Sequence, residues 1–346
     1  MPIPVGVVEP ITPTPDIPTI PEPEFWSRSV ITWTSATGES VVLTGDISGN
    51  NTGVVVEQGV KGFDAPPYEL QLEEYPSLDG SVFRGVRAST REIMLPLFLW
   101  APDRRRLLDL KRRILRLFNP RKGEGVLRVT EHDGSSRFIR CFYASGLEGD
   151  EQDASGFTWT RYGVVLRAKD PYWYGDKITL TFDRSSPNIV NFYDGRGVRD
   201  GETIITPSPF LGLHISSDYP NVAETLIAIS GDDDTWPVWT ITGYRGSQII
   251  LSNVSTGSSF VLSYESDDPT KVIRIDTRPG RKWVYEGVIQ NGQFIREKNL
   301  WPYLEARDLW PIPVGESRAT VEIRPIEGTQ PGGVVVMEYE PRFLGA

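Results

Sequence analysis

Only one stretch of this chain, residues 103 to 118, carries apolar side chains at helical spacing. Nearly everywhere else, short runs of alternating apolar and polar residues are cut off by glycine or proline. That pattern restricts the chain to β structure made of many short strands. With 33 Gly and 28 Pro in 346 residues, turns are frequent enough to keep every strand short. The length exceeds what one ordinary core serves and suits two domains.

From Trp26 the period-2 runs begin. "SVITWTSA" and "ESVVLTG" flank Gly38, and "TGVVVEQGV" follows, which predicts a hairpin with a further strand behind it. "GFDAPPYELQLEEYPSLDGSVF" reads as a loop-rich connection with a tight turn at Asp79-Gly80. "TREIMLPLFLWA" is apolar enough to predict a strand buried on both faces.

The helix then starts at Pro102-Asp103 and stops at Asn119-Pro120. Leu107, Leu110, Ile114, Leu117 and Phe118 form its apolar stripe, and Arg105, Arg112, Arg113 and Arg116 fall mainly outside it. Three strands follow, the first two joined at Asp133-Gly134, so a helix on a sandwich or sheet is expected. Pro171 and the cluster Tyr172, Trp173 and Tyr174 close this unit, with a boundary near Gly175. Beyond it, strand-like runs from "ITLTF" to "GVVVMEYEP" predict an antiparallel β-sandwich.

Residues 1 to 24 carry eight prolines, which forbid helix and remove donors from any sheet ladder. The segment is an extended arm: either a disordered tail or, as Ile3, Val5, Val7, Val8, Ile11, Ile17 and Ile20 favour, a polyproline-like strap on a neighbouring subunit. Cys141 is the single cysteine, so no internal disulfide or cysteine-based metal cluster is expected, and folding in a reducing cytoplasm is the simplest reading. No apolar run has the length of a membrane span, and the N-terminus lacks the pattern of a secretory signal.

Formal charge is -10 over the chain, yet residues 103 to 122 carry nine Lys or Arg against two Asp. Polyanion binding would need stacking aromatics or base-reading groups on the exposed helix face, and the only aromatic there, Phe118, belongs to the buried stripe. The acidic remainder of an identical neighbour is the better complement. Arg105, Arg112, Arg113 and Arg116 are therefore the expected interface residues, with a solvated face and DNA contact as the alternatives.

Chemistry is sparse. His132 lies in a hairpin turn and His214 in a strand-like run, neither in a nucleophile motif, so no enzyme and no catalytic residues are expected. Asp232, Asp233 and Asp234 read as a turn rather than a Ca²⁺ site, because the spacing lacks a full binding loop. No cofactor or metal is expected. Trp236, Trp239, Trp283, Trp301 and Trp310 suit a sandwich core or an interface, with sugar stacking as the alternative.

Five motifs in order, "LDG" (78–80), "TREIMLPLFLW" (90–100), "LFNPRKGEGVLRV" (117–129), "DGSSRFIRCFYASG" (133–146) and "KDPYWYG" (169–175), resemble the distal tail proteins (Dit) of siphoviruses. "DDTWPVWTITG" (233–243), "IRIDTRPG" (273–280), "LWPYLE" (300–305) and "PIPVGESRATVEI" (311–323) are similar to that family's outer sandwich. The chain is thus expected to be mainly β, with a Pro-rich arm (1–27), a β-sandwich-like domain with one α-helix (28–175) and an antiparallel β-sandwich (176–346); the resemblance implies that the second of these forms a ring and that the third is galectin-like or carbohydrate-module-like. It further implies a homo-hexameric ring at the tail tip of the virion, made in the host cytoplasm. Implied partners are the tail tube protein and the tail-tip hub protein, with the tape measure and receptor-binding proteins as further contacts and DNA only in transit through the channel. A carbohydrate-binding module recognising a host glycan is the alternative. The arm and the segment 185–209 depart from the family pattern.

Overall fold

The structure, a computed structural model, describes residues 29–45, 52–76, 79–149, 158–182, 196–199, 202–205, 222–327 and 332–346. The Pro-rich arm, most of the segment 185–209 and His214 lie outside them.

The first unit is a nine-stranded antiparallel sheet. Its strands are β1 (Val30–Thr34), β2 (Ser40–Val42), β3 (Gly53–Val56), β6 (Arg91–Trp100), β7 (Gly125–Thr130), β8 (Ser136–Ser145), β9 (Trp159–Ala168), β10 (Trp173–Tyr174) and β24 (Arg342–Phe343). Between them in the chain lie β4 (Tyr68–Glu74), β5 (Ser81–Ala88) and α1 (Arg104–Leu117). The sheet runs β2-β1-β7-β8-β9-β6-β3. Its two ends meet where Thr44 bridges Val55 and the Val56 amide donates to the Leu43 carbonyl. The sheet thus curls until its halves face each other across one core.

Period-2 alternation fills that core. Ile93, Leu95, Leu97 and Leu99 of β6 all point inward and are fully buried. The opposite face of β6 departs from the expectation of burial on both sides: Glu92 is exposed, and Met94, Pro96, Phe98 and Trp100 are half-buried. Phe98 rests beside Trp100 and Trp159 there, under the Arg161 guanidinium.

The helix forms as predicted. Asp103 is its N-cap and accepts from the Arg106 amide at 2.8 Å, and Leu107, Ile114, Leu117 and Phe118 are buried. Trp33 of β1 holds its far end: the indole donates to the Leu117 carbonyl (3.0 Å), a helix-terminal acceptor that would otherwise be unpaired, and stacks on Phe118 with ring centroids 4.7 Å apart. Gly125 makes room for that indole, since a Cβ there would meet the Trp33 ring at 2.3 Å.

The second unit has two sheets over a second core. One contains β11 (Ile178–Phe182), β15 (Val238–Arg245), β18 (Val272–Asp276), β19 (Trp283–Gln290), β20 (Gln293–Asn299) and β23 (Gly332–Tyr339). The other contains β14 (Val222–Ile229), β16 (Gln248–Asn253), β17 (Ser258–Leu262), β21 (Leu304–Arg307) and β22 (Gly315–Arg324). This is the expected antiparallel sandwich. A separate hairpin, β12 (Arg196–Arg199) with β13 (Glu202–Ile205), occurs inside the segment read as linker. Besides that hairpin, two strands of the sandwich, β20 and β21, were not read from sequence: "QFIREKN" carries few apolar residues, and β20 is correspondingly exposed at a sheet edge.

Two antiparallel connections join the units. Going out, residues 171–178 pass through β10 into β11; coming back, β23 leads through residues 340–341 into β24. Ile178 pairs with Tyr339, the Gly175 amide donates to the Pro341 carbonyl (2.9 Å), and Tyr174 pairs with Arg342. Residues 342–346, read from sequence with the outer sandwich, lie on the first unit, where Phe343 and Ala346 pack against the first core.

Arg91 fastens this return. Its guanidinium is 1% exposed and donates to four backbone carbonyls: Pro171 (2.6 Å), Gly62 (2.8 Å), Asp64 (2.6 Å) and Leu344 (2.6 Å). Burial pulls its pKa below the usual arginine value, the expected direction for a cation solvated by carbonyl dipoles rather than water.

Candidate functional site

The hairpin of β4 and β5 is the least self-sufficient part of the molecule. It forms a two-stranded sheet of its own, and its register places Tyr68, Leu70 and Leu72 beside Ala88, Val86 and Phe83 on one face. That face is uncovered among the described residues: Leu70 is 61% exposed, Phe83 59% and Leu72 53%. The other face is charged, with Arg87 on Glu69 (2.6 Å) and Arg84 on Glu73 (2.5 Å). Two strands alone are marginal in water, and a contiguous apolar ribbon of this kind marks a contact surface.

The reading of residues 62–83 as a loop-rich connection is therefore corrected. Tyr68, Leu70 and Leu72 alternate with Glu69, Gln71 and Glu73, which is a strand signal masked by Pro66-Pro67 before it and Pro76 after it. The turn at Asp79-Gly80 is present, with Gly80 at φ 86°.

The four helix arginines divide. Arg113 donates to Glu39 (3.0 Å) and to the Ser40 carbonyl (3.3 Å), and Arg116 lies 3.8 Å from Glu39, so both tie the helix to the β1–β2 turn of the same chain. Arg112 lies 3.4 Å from Asp109, and Arg105 has no carboxylate within ion-pair distance among the described residues. Leu108 and Leu115, at helical spacing from Arg105 and Arg112, are exposed between them. Exposed pairs like these each contribute at most about 1 kcal/mol, so Arg105 and Arg112 remain available to an acidic partner.

The other expectations resolve into structure. Asp232 accepts from the Leu344 amide (3.0 Å), Asp233 lies 3.4 Å from Arg342, and the Asp234 carbonyl accepts from Arg342 (2.9 Å). The acidic run thus receives the returning strand. Trp239 and Trp310 are core residues in edge contact at 5.7 Å, Trp301 packs against the same core, and Arg296 covers Trp283 at 4.2 Å. Trp236 sits under Lys282. Trp239 and Trp310 are buried, and Trp283 is sandwiched between Phe294 and Arg296, so these three present no uncovered face for sugar stacking.

A cleft of about 610 Å³ opens between the units beside their paired connections, lined by Tyr172, Tyr174, Trp236 and several arginines. Burial, then hydrogen bonding to Asp233, pushes the Tyr172 phenol up to about 12, and burial raises Tyr174 and Tyr244 further. Phenols held protonated in the fold contribute stability that is intact below the unfolded value near 10 and is lost as pH rises through their folded values. Urea unfolding is accordingly expected to show constant stability from neutral pH to about 10 and a steep loss from there through 12 and beyond, together with tyrosinate absorbance. Constant stability to pH 12 would contradict it.

Residues 47–192 match the family model of the phage tail protein RIFT-related domain. This stretch is similar to a phage tail domain. The resemblance read from the five sequence motifs, all of which lie within these residues, is borne out. Among solved structures, the Dit protein (gp 19.1) of phage SPP1, described as a paradigm of the hub adsorption apparatus in phages infecting Gram-positive bacteria, superposes with a TM-score of 0.55. It is 14% identical, and the match covers 91% of this chain and all of the SPP1 chain. A chain of the phage P2 baseplate in its activated, Ca-bound conformation matches with a TM-score of 0.48 and 11% identity, over 90% of this chain and 98% of its own. No curated protein sequence matches.

Proposed function

We propose that this chain is a structural subunit of a siphovirus tail tip, closing with five other copies into a ring that joins the tail tube protein to the tail-tip hub protein and leaves a channel for DNA. The apolar face of the β4–β5 ribbon carries this reading: it has no cover among the described residues of its own chain, and so calls for another copy. Identical subunits offering unlike surfaces to their two neighbours close into a ring when the rotation allows it. The family resemblance supplies the number six, the tube and hub partners and the channel, and the match over residues 47–192 supports a tail component. The role is mechanical rather than catalytic.

Native mass measurement and electron microscopy of the purified chain test this directly. Six-membered rings are expected; a monomer at high concentration, with the protein missing from the tips of assembled particles, would overturn the reading. The helix is expected to contribute less than the ribbon. Charge reversal by Arg105→Glu with Arg112→Glu should weaken association by about tenfold at low salt and less at high salt, because both side chains are exposed and screened. Unaltered association would remove the helix from the interface.

A further inference from the structure

Two exposed surfaces of the first unit carry matching patterns. On α1, Arg105, Leu108, Arg112 and Leu115 recur at helical spacing, so they form one stripe on the side away from the buried Leu107, Ile114 and Leu117. Leu108 is 37% exposed and Leu115 49%. Interleaved with two arginines, these leucines make a narrow apolar seam with basic edges. The first turn of the helix adds to the positive charge, since it holds three arginines and no acid.

The ribbon carries the complement. Tyr68, Leu70, Leu72 and Glu74 alternate along β4 and share its apolar face, so a carboxylate ends the apolar row, beside Ser81 of β5. Glu69 and Glu73 on the opposite face are held by Arg87 and Arg84. Glu74 is exposed and has no cation within ion-pair distance among the described residues.

The spacings agree as well. Two residues of strand cover about 7 Å, which places Leu72 about 7 Å and Glu74 about 14 Å from Leu70. A helix rises about 1.5 Å per residue, which places Leu108 about 10 Å and Arg105 about 15 Å from Leu115. Both rows end in a charge after two apolar positions, over nearly the same length, and the charges are opposite. Arg112 already has Asp109 beside it, whereas Arg105 has no carboxylate among the described residues.

We propose that the apolar face of one copy's ribbon seats on the α1 stripe of the next copy, with Leu70 toward Leu115, Leu72 and Phe83 toward Leu108, and Glu74 on Arg105. This rests on the ring reading above and names the surface that receives the ribbon. Ribbon and helix are unlike surfaces, so each copy gives a ribbon to one neighbour and a helix to the other, the head-to-tail contact that ring closure requires. Ribbon against ribbon would be a two-fold contact, satisfied at two copies.

Crosslinking tests the contact. Ser81, beside Glu74, and Pro102, just before the helix, are both exposed and outside the paired rows, and Cys141 is fully buried and takes no label. With Ser81→Cys and Pro102→Cys chains co-expressed under different tags, a short bismaleimide is expected to join one variant to the other and neither to itself. Crosslinking of Ser81→Cys to itself would overturn the head-to-tail contact in favour of the two-fold one. Charge exchange gives an independent readout. Glu74→Arg and Arg105→Glu should each weaken association about fivefold at low salt, and both together should restore it to within about twofold of wild type. Losses that multiply in the double variant would overturn the pairing. Rings without the mixed crosslink would remove this contact and keep the ring. The mixed crosslink in open chains without rings would do the reverse, and a monomer that gives no crosslink would remove both.

Discussion

Leu70→Asp combined with Phe83→Asp is expected to abolish assembly while leaving the subunit folded. Leu70 and Phe83 share the uncovered face of the β4–β5 ribbon with Leu72, Val86 and Tyr68, and none of the described residues buries them. In an assembled ring each side chain would give about 1.5–3 kcal/mol on burial. Replacing both by carboxylates removes that gain and adds charges whose desolvation is unfavourable, so a loss of about 4–8 kcal/mol per contact, or at least three decades in association, is expected. The stability of the isolated subunit should stay within about 0.5 kcal/mol of wild type, because both positions are exposed there. Sedimentation velocity and urea unfolding of the same preparation separate the two quantities. Intact rings would show that the ribbon is not the contact.

The second large effect is internal. Arg91→Met should destabilise the first unit by about 3–5 kcal/mol, since hydrogen bonds from a charged donor to four carbonyls vanish and the acceptors stay partly sheltered from water. Arg91→Lys keeps the charge but cannot reproduce the planar fork that reaches Pro171, Gly62, Asp64 and Leu344 together, so it should restore only part of the loss. The readout is the urea midpoint of the first unit, with hydrogen exchange at residues 342–346 as a local reporter of release. A change under about 1 kcal/mol in Arg91→Met would mean that the return strand is held by Phe343 and Ala346 packing instead.

These two sites differ in how far the sequence announced them. The helix, its Asp103 cap and its buried stripe were legible because one turn repeats every 3.6 residues and both ends carry stop signals. Most strands of both units were legible for the analogous reason, alternation ended by turn residues. The ribbon was hidden because its alternation is flanked by prolines and weakened by five charged or amide residues, Glu69, Gln71, Glu73, Arg84 and Arg87, that solvate its other face. The role of Arg91 was illegible in principle. Its acceptors are backbone carbonyls contributed by residues 62, 64, 171 and 344, and carbonyls leave no trace in residue identity. Arg113 and Arg116 matched the expected pattern of exposed basic residues yet engage Glu39, a partner 74 positions away from Arg113 that only the fold brings near.

The paired connections between the units carry a consequence for evolution and for biogenesis. Since Ile178 and Tyr339 sit side by side, the outer sandwich is topologically an insert, spliced into the first unit at one doorway. A module entering and leaving at adjacent points can be exchanged, enlarged or trimmed without threading new chain through its host. The same arrangement imposes an order on synthesis: the carbonyl of Leu344 reaches Arg91 only after the whole insert has been translated, so the host domain is completed last although its sequence starts first.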